Sequence, residues 1–162
     1  MTMNEAAQAP DPQSVAEAVA RSMYENDPAS RSLGMRVEAV APGYARLTMV
    51  VRSDMLNGFG ICHGGFITLL ADSAFAYACN SRNELTVAAG IAVEFFAPAH
   101  AGDRLVAEAR ELARRGRQGI YDVAVTNQAG ETVAVMRGRS HTQNGKAVIA
   151  PKRWQQEGGD AR

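Results

Sequence analysis

Apolar and polar residues alternate along two stretches, 33–40 and 44–51, with Ala41-Pro42-Gly43 between them. A period of two on either side of a Pro-Gly turn predicts a β-hairpin. The pattern then changes. After a loop over 52–62, Gly64 opens a run to about Ser81 that is apolar at nearly every position and holds one carboxylate, Asp72, in its middle. This run predicts a long helix, apolar almost all round. Residues 86–96, rich in Val, Ile and Phe and stopped by Pro98, predict a strand. Segments 104–114, 118–127 and 132–142 predict three more, joined at Arg115-Gly116-Arg117 and Ala129-Gly130. Near the start, Ser14 followed by Glu17 predicts a capping box for a short helix to about Glu25, with Val15 and Val19 on one face and Asp27-Pro28 as its stop.

Two strands, one long helix and then four strands in a row exclude a β-α-β alternation and predict an antiparallel sheet. A helix apolar on all faces must be surrounded. The simplest solution is an α+β domain in which a curved antiparallel sheet wraps the helix, the hotdog fold. The chain has 162 residues, as expected of one domain. The predicted domain covers 14–142. Residues 1–13, rich in Ala, Pro and Gln, are expected to be disordered, and the polar stretch 143–162 to be a flexible tail.

Charge changes the picture little. Seventeen basic and seventeen acidic side chains cancel, which argues against a nucleic-acid or anionic-membrane partner. The apolar run 66–79 falls short of the roughly 20 residues of a membrane span. Two cysteines, Cys62 and Cys79, give neither a disulfide framework nor a metal signature, so a cytoplasmic protein without bound metal is expected.

Chemistry concentrates between Asn57 and Asp72. His63-Gly64-Gly65 opens the long helix, where backbone N–H groups lack partners and the helix dipole favours negative charge. With no side chain at Gly64, a carbonyl oxygen has room to approach the Gly64 and Gly65 amides, an oxyanion hole. Asp72, poorly solvated among apolar neighbours, is suited either to attack an acyl carbon or to draw a proton from water. Asn57 is placed to hold that water or the acyl group, and His63 to orient the loop. No Ser-His-Asp set is evident. One carboxylate with an oxyanion hole suffices for a thioester, because a thiolate leaves without protonation, its thiol having a pKa of roughly 8.5. Phe59, Phe75 and Tyr77 are candidates for the acyl pocket, and Arg117, in the cluster with Arg114 and Arg115, for a phosphate contact.

His63 and Asp72 are nine positions apart. On a helix that is roughly 13 Å of rise and half a turn beyond full turns, so the two face opposite sides. One chain does not easily bring both to a single carbonyl. A two-fold dimer does, with Asp72 from one chain and Asn57, His63 and Gly64 from the other.

At these residues the chain resembles a known family. Leu56-Asn57-Gly58, Cys62-His63-Gly64-Gly65, the helix run from Ala71-Asp72-Ser73 to Asn80-Ser81, Ala101-Gly102-Asp103 and Gly119-Ile120-Tyr121-Asp122 are similar to the PaaI group of hotdog acyl-CoA thioesterases. The resemblance spans about 31–142. It implies Asp72 as catalytic carboxylate, Gly64 as oxyanion donor, Asn57 and His63 in support, and Ser73 as a polar neighbour at the substrate. It also implies arylacetyl-CoA as substrate, no cofactor beyond the CoA of the substrate, and a homodimer assembling to a homotetramer.

Plainer readings stand beside these. Asp72 is also compatible with a polar subunit contact, His63 with a helix cap, Asn57-Gly58 with a turn, and the arginine cluster with a solvated turn. A hotdog dehydratase or hydratase acting on 3-hydroxyacyl thioesters would use His63 and Asp72 as an acid–base pair and release no thiol. A non-catalytic acyl-CoA-binding protein would bind without turnover.

Overall fold

A computed structural model describes residues 10–150. Helix α1 (Pro12–Glu25) and the short α2 (Pro28–Ser32) lead into strands β1 (Arg36–Ala41) and β2 (Tyr44–Val50). A loop with one 3-10 turn at Ser53–Met55 reaches α3 (Gly64–Asn80), followed by β3 (Thr86–Phe95), β4 (Arg104–Arg115), β5 (Gln118–Thr126) and β6 (Thr132–Thr142). The strands form one six-stranded antiparallel sheet in the order β1-β2-β4-β5-β6-β3. This is the hotdog arrangement. Its sheet closes around α3, whose Leu70, Ala71, Ala74, Phe75 and Ala78 pack on Leu47, Met49, Leu105, Val123, Val125 and Met136. The sheet makes room where it must. A β-carbon at Gly138 would lie 2.9 Å from the ring of Phe75, so only glycine lets that ring seat against β6.

Elements outside this core differ from the sequence reading. The cap of α1 is Asp11, not Ser14: the Asp11 carboxylate accepts the Ser14 N–H at 3.0 Å, and Glu17 bonds Gln13 rather than closing a capping box. An Asp followed by Pro at the first helical position is a stronger start than Ser three residues on. Pro12 and Gln13 therefore belong to the helix, not to a disordered arm. Asp27-Pro28 repeats the motif. It ends α1 but also begins α2, with Asp27 accepting the Ser30 N–H at 3.0 Å. Leu33 consequently caps α2, and β1 begins at Arg36.

Residues 143–150 are also tied down, contrary to the expected tail. Gln143 N–H donates to Leu85 at 2.8 Å, Leu85 N–H donates to Lys146 at 2.9 Å, and the Asn83 side chain makes a reciprocal pair of bonds with Ile149. Ile149 is buried against Ala18 and Val19 of α1. The rest of the expected arm and tail, 1–9 and 151–162, lies outside the described residues.

The two edge strands are treated differently. Beside β1 lies α1, and Gln13 Nε2 donates to the Val40 carbonyl at 2.9 Å. No described element covers β3, and Val87, Ile91 and Phe95 on it stand 43%, 44% and 53% exposed.

Candidate active site

The loop before α3 is built around Asn57. Its backbone N–H donates to Ile61 at 2.8 Å and its carbonyl accepts the Gly60 N–H at 3.0 Å. Its side-chain Oδ1 accepts from the Phe59 and Ile61 amides at 2.9 and 3.4 Å. The turn reading of Asn57-Gly58 thus holds for Oδ1. The Nδ2 group has no partner among the described residues and remains able to donate.

His63 caps α3. Its N–H donates to Met55 at 2.8 Å, and its Nδ1 accepts the Gly65 N–H at 2.9 Å. An accepting Nδ1 leaves the ring proton of a neutral imidazole on Nε2. The Gly65 amide is therefore spent within the chain, and the two-amide oxyanion hole expected from sequence shrinks to one donor. The Gly64 N–H has no partner among the described residues. The space on the side-chain side of Gly64, however, is taken. A β-carbon there would lie 3.0 Å from Phe95 Cζ and 3.3 Å from Cε1, so the ring of Phe95 fills it.

Beside the free amide is a cavity of about 370 Å³, lined by Asn57, Gly64, Ile67, Phe95 and Phe96 among others, none of them charged. Asp72 does not line it. It lies on the incompletely buried stripe of α3 with Gly65, Leu69 and Ala76, half-buried and without a hydrogen bond among the described residues. Burial raises its carboxyl above the ordinary value of 3.8.

Other candidates fall elsewhere. The Ser73 hydroxyl sits 3.2 Å from that of Ser30, which donates to Asp27 at 2.6 Å. Ser73 thus faces the interior against α2, one position round the helix from the open face of Asp72, and braces the helix there. Phe75 and Tyr77 are core residues, 1% and 2% exposed, so neither lines a pocket. Phe59 stands 90% exposed at the loop tip and is not among the lining residues of the cavity. Arg117 is exposed at the β4–β5 turn, and the neighbouring Arg82–Glu111 and Arg114–Glu84 pairs place that turn beyond the C-terminal end of α3. Its own chain's Gly64 lies at the other end of the helix, roughly 25 Å away along a 17-residue axis. The pocket residues missed in the sequence include Phe95 and Phe96, which read there only as the end of the strand over 86–96.

The site and fold define a class, and comparison with known proteins agrees with it. Residues 59–134 match the thioesterase superfamily. The chain is 45% identical over 127 residues to the acyl-coenzyme A thioesterase PaaI of Escherichia coli, covering 78% of this chain and 90% of that one. A solved structure of the E. coli PaaI protein from the phenylacetic acid degradation operon superposes with a TM-score of 0.82 at 41% identity, over 84% of this chain and 99% of that one. A mutant of the phenylacetic acid degradation protein PaaI from Thermus thermophilus superposes with a TM-score of 0.70 at 39% identity, over 72% of this chain and 100% of that one. The chain belongs to the PaaI-type hotdog acyl-CoA thioesterases. It is a thioester hydrolase.

Proposed function

We propose that this thioesterase hydrolyses arylacetyl-CoA, phenylacetyl-CoA or its ring-hydroxylated forms, in phenylacetate breakdown, at two equivalent sites shared across a two-fold dimer. The observation that carries the shared site is a separation. Asn57 and the free Gly64 N–H border one cavity that Asp72 does not reach, while Asp72 lies unbonded on an open helix face. The uncovered β3 edge suits antiparallel pairing with a second copy. Pairing about its middle sets the partner's Thr86 end beside this chain's Phe95 end. The partner's mid-helix and β4–β5 turn then swing towards Gly64, which also explains how Arg117, remote within its own chain, meets a CoA phosphate.

In this reading the thioester oxygen accepts from Gly64 N–H, and Asn57 Nδ2 holds the water or the acyl group. Asp72 attacks the acyl carbon, or takes a proton from the water that does. In either route the C–S bond breaks and the thiolate leaves as CoA. Direct attack leaves a mixed anhydride on Asp72 that a water then hydrolyses, whereas activated water gives the acid at once. Both routes end at acid and CoA. His63 orients the loop. Its capping bond to Gly65 disfavours the dehydratase reading, which asks the same imidazole to shuttle protons at substrate. No cofactor enters. Pairs of dimers forming a tetramer, and a cytoplasmic setting, complete the reading; two free thiols, Cys62 and Cys79, support the latter.

Mixed dimers test it. Asp72→Ala and His63→Ala subunits, each impaired alone, should regain thiol release from phenylacetyl-CoA when co-assembled, because each mixed dimer carries one intact site. Co-assembly without recovery would place all residues of a site in one chain.

A further inference from the structure

We infer that Phe95 sets the acyl preference of the site, as an aromatic wall pinned between the helix start and the cavity. The inference rests on the thioesterase reading of that cavity. Although half-exposed, Phe95 is not a loose surface group. Three atoms at the tip of its ring, Cε1, Cζ and Cε2, lie 3.0–3.5 Å from the place a β-carbon on Gly64 would occupy. Its backbone is held in register opposite Ala134 on β6, and the next residue, Phe96, donates its N–H to Val133 at 2.9 Å. With the tip of its ring turned to Gly64, Phe95 lines the cavity beside the free amide.

Because Phe95 packs on Gly64, a carbonyl oxygen bound at Gly64 N–H brings the acyl α-carbon towards this ring. The group attached to that carbon meets Phe95 first. A phenyl group there makes an edge or offset aromatic contact beyond its simple burial. It also has few torsions to freeze, whereas a straight chain gains dispersion contacts only and loses more rotamer freedom. The residues this chain contributes to the cavity carry no charge to hold a polar acyl group.

The test compares kcat/KM for phenylacetyl-CoA and hexanoyl-CoA in wild type, Phe95→Leu and Phe96→Leu, with gel filtration of each. Binding of the non-hydrolysable thioethers S-phenethyl-CoA and S-hexyl-CoA is measured by calorimetry alongside. Leucine keeps the wall apolar and removes its aromatic faces. The expected result is an aryl-to-alkyl ratio that falls about three- to tenfold in Phe95→Leu, mainly through KM, with the same fall in the thioether affinities and an unchanged elution volume. Phe96→Leu should change the ratio less. Equal losses on both esters, no change in the ratio, or loss of assembly in Phe95→Leu would each overturn the inference, the last by assigning the ring to a subunit contact. If wild type releases no thiol yet the thioether ratio shifts as stated, the activity reading fails and the wall stands.

Discussion

The two ends of α3 are built to opposite rules. At the C-terminal end Asn80, Ser81 and the nearby Glu111 are all paired, and the buried Tyr77 hydroxyl is the exception. Asn80 Nδ2 donates to the Thr86 carbonyl and its Oδ1 accepts the Thr86 N–H, both at 2.8 Å. Ser81 Oγ donates to Ala78 at 2.7 Å and accepts the Gly43 N–H at 2.8 Å. Glu111 takes Arg82 at 2.6 Å and the Tyr121 hydroxyl at 2.8 Å. At the N-terminal end His63 satisfies one amide, while Gly64 N–H and the nearby Asn57 Nδ2 have no partner among the described residues. Buried polar groups are ordinarily satisfied. A helix that closes one end and leaves donors at the other uses the first as anchor and offers the second to a ligand.

Three substitutions can break that contrast. The largest effect belongs to Asp72→Asn, which should lower turnover about 10²- to 10⁴-fold, the usual scale for a lost acid–base group. Its stability should move the other way. Burial raises the Asp72 carboxyl above 3.8. A carboxyl raised on folding binds protons more readily in the folded chain, so stability falls as pH climbs from the unfolded to the folded value. Thermal melts should therefore show the amide variant at least as stable as wild type at pH 7, with any advantage gone at pH 3. A variant both inactive and markedly less stable would make Asp72 an ordinary structural contact.

Next is Asn80→Ala, which strands the N–H and carbonyl of Thr86. Each buried unsatisfied group costs about 1–3 kcal/mol, so the urea midpoint should drop clearly while turnover per folded molecule holds. If activity fell and stability held, the roles of the two ends would be reversed. The smallest effect concerns Glu111. Burial pushes its carboxyl up, but hydrogen bonds from Arg82 and Tyr121 outweigh that and hold it below 4.5. A lowered carboxyl stabilises above its unfolded value, and the contribution is lost as pH falls through the folded one. Stability of Glu111→Gln should accordingly change less than wild type between pH 6 and pH 3. Parallel curves would remove Glu111 from the anchor.

Much of the fold was legible because period decides it. The 132–142 strand and the long helix from Gly64 follow directly from alternation and from an unbroken apolar run. Short-range signals were less decisive. Asp27-Pro28 serves as both stop and start, and five residues of α2 are too few to show a period. Direction was the other blind spot. A helix apolar on all sides does not say which aromatic faces the core, so Phe75 and Tyr77 are indistinguishable from pocket residues until the sheet is in place. Ser73 sits beside Asp72 in the chain, yet a 100° turn sends it to α2. The Asn57–Asp72 constellation stood out because glycines at a helix start and a lone carboxylate in an apolar run are both costly patterns. Phe95 did not, since an aromatic at a strand end is commonplace.

The unequal edges of the sheet bear on how far self-association can run. A sheet with two open borders can add copies without limit, the geometry of a fibre. Here the β1 border is flanked by the chain's own first helix, which bonds it through Gln13 and is itself fastened by Ile149 from the far end of the described chain. Among the described residues the β3 border is the one with no flanking helix, and a two-fold pairing uses it up on both copies at once. Strand-to-strand growth of this molecule would then terminate at two, and the segment that ensures it lies outside the strands altogether.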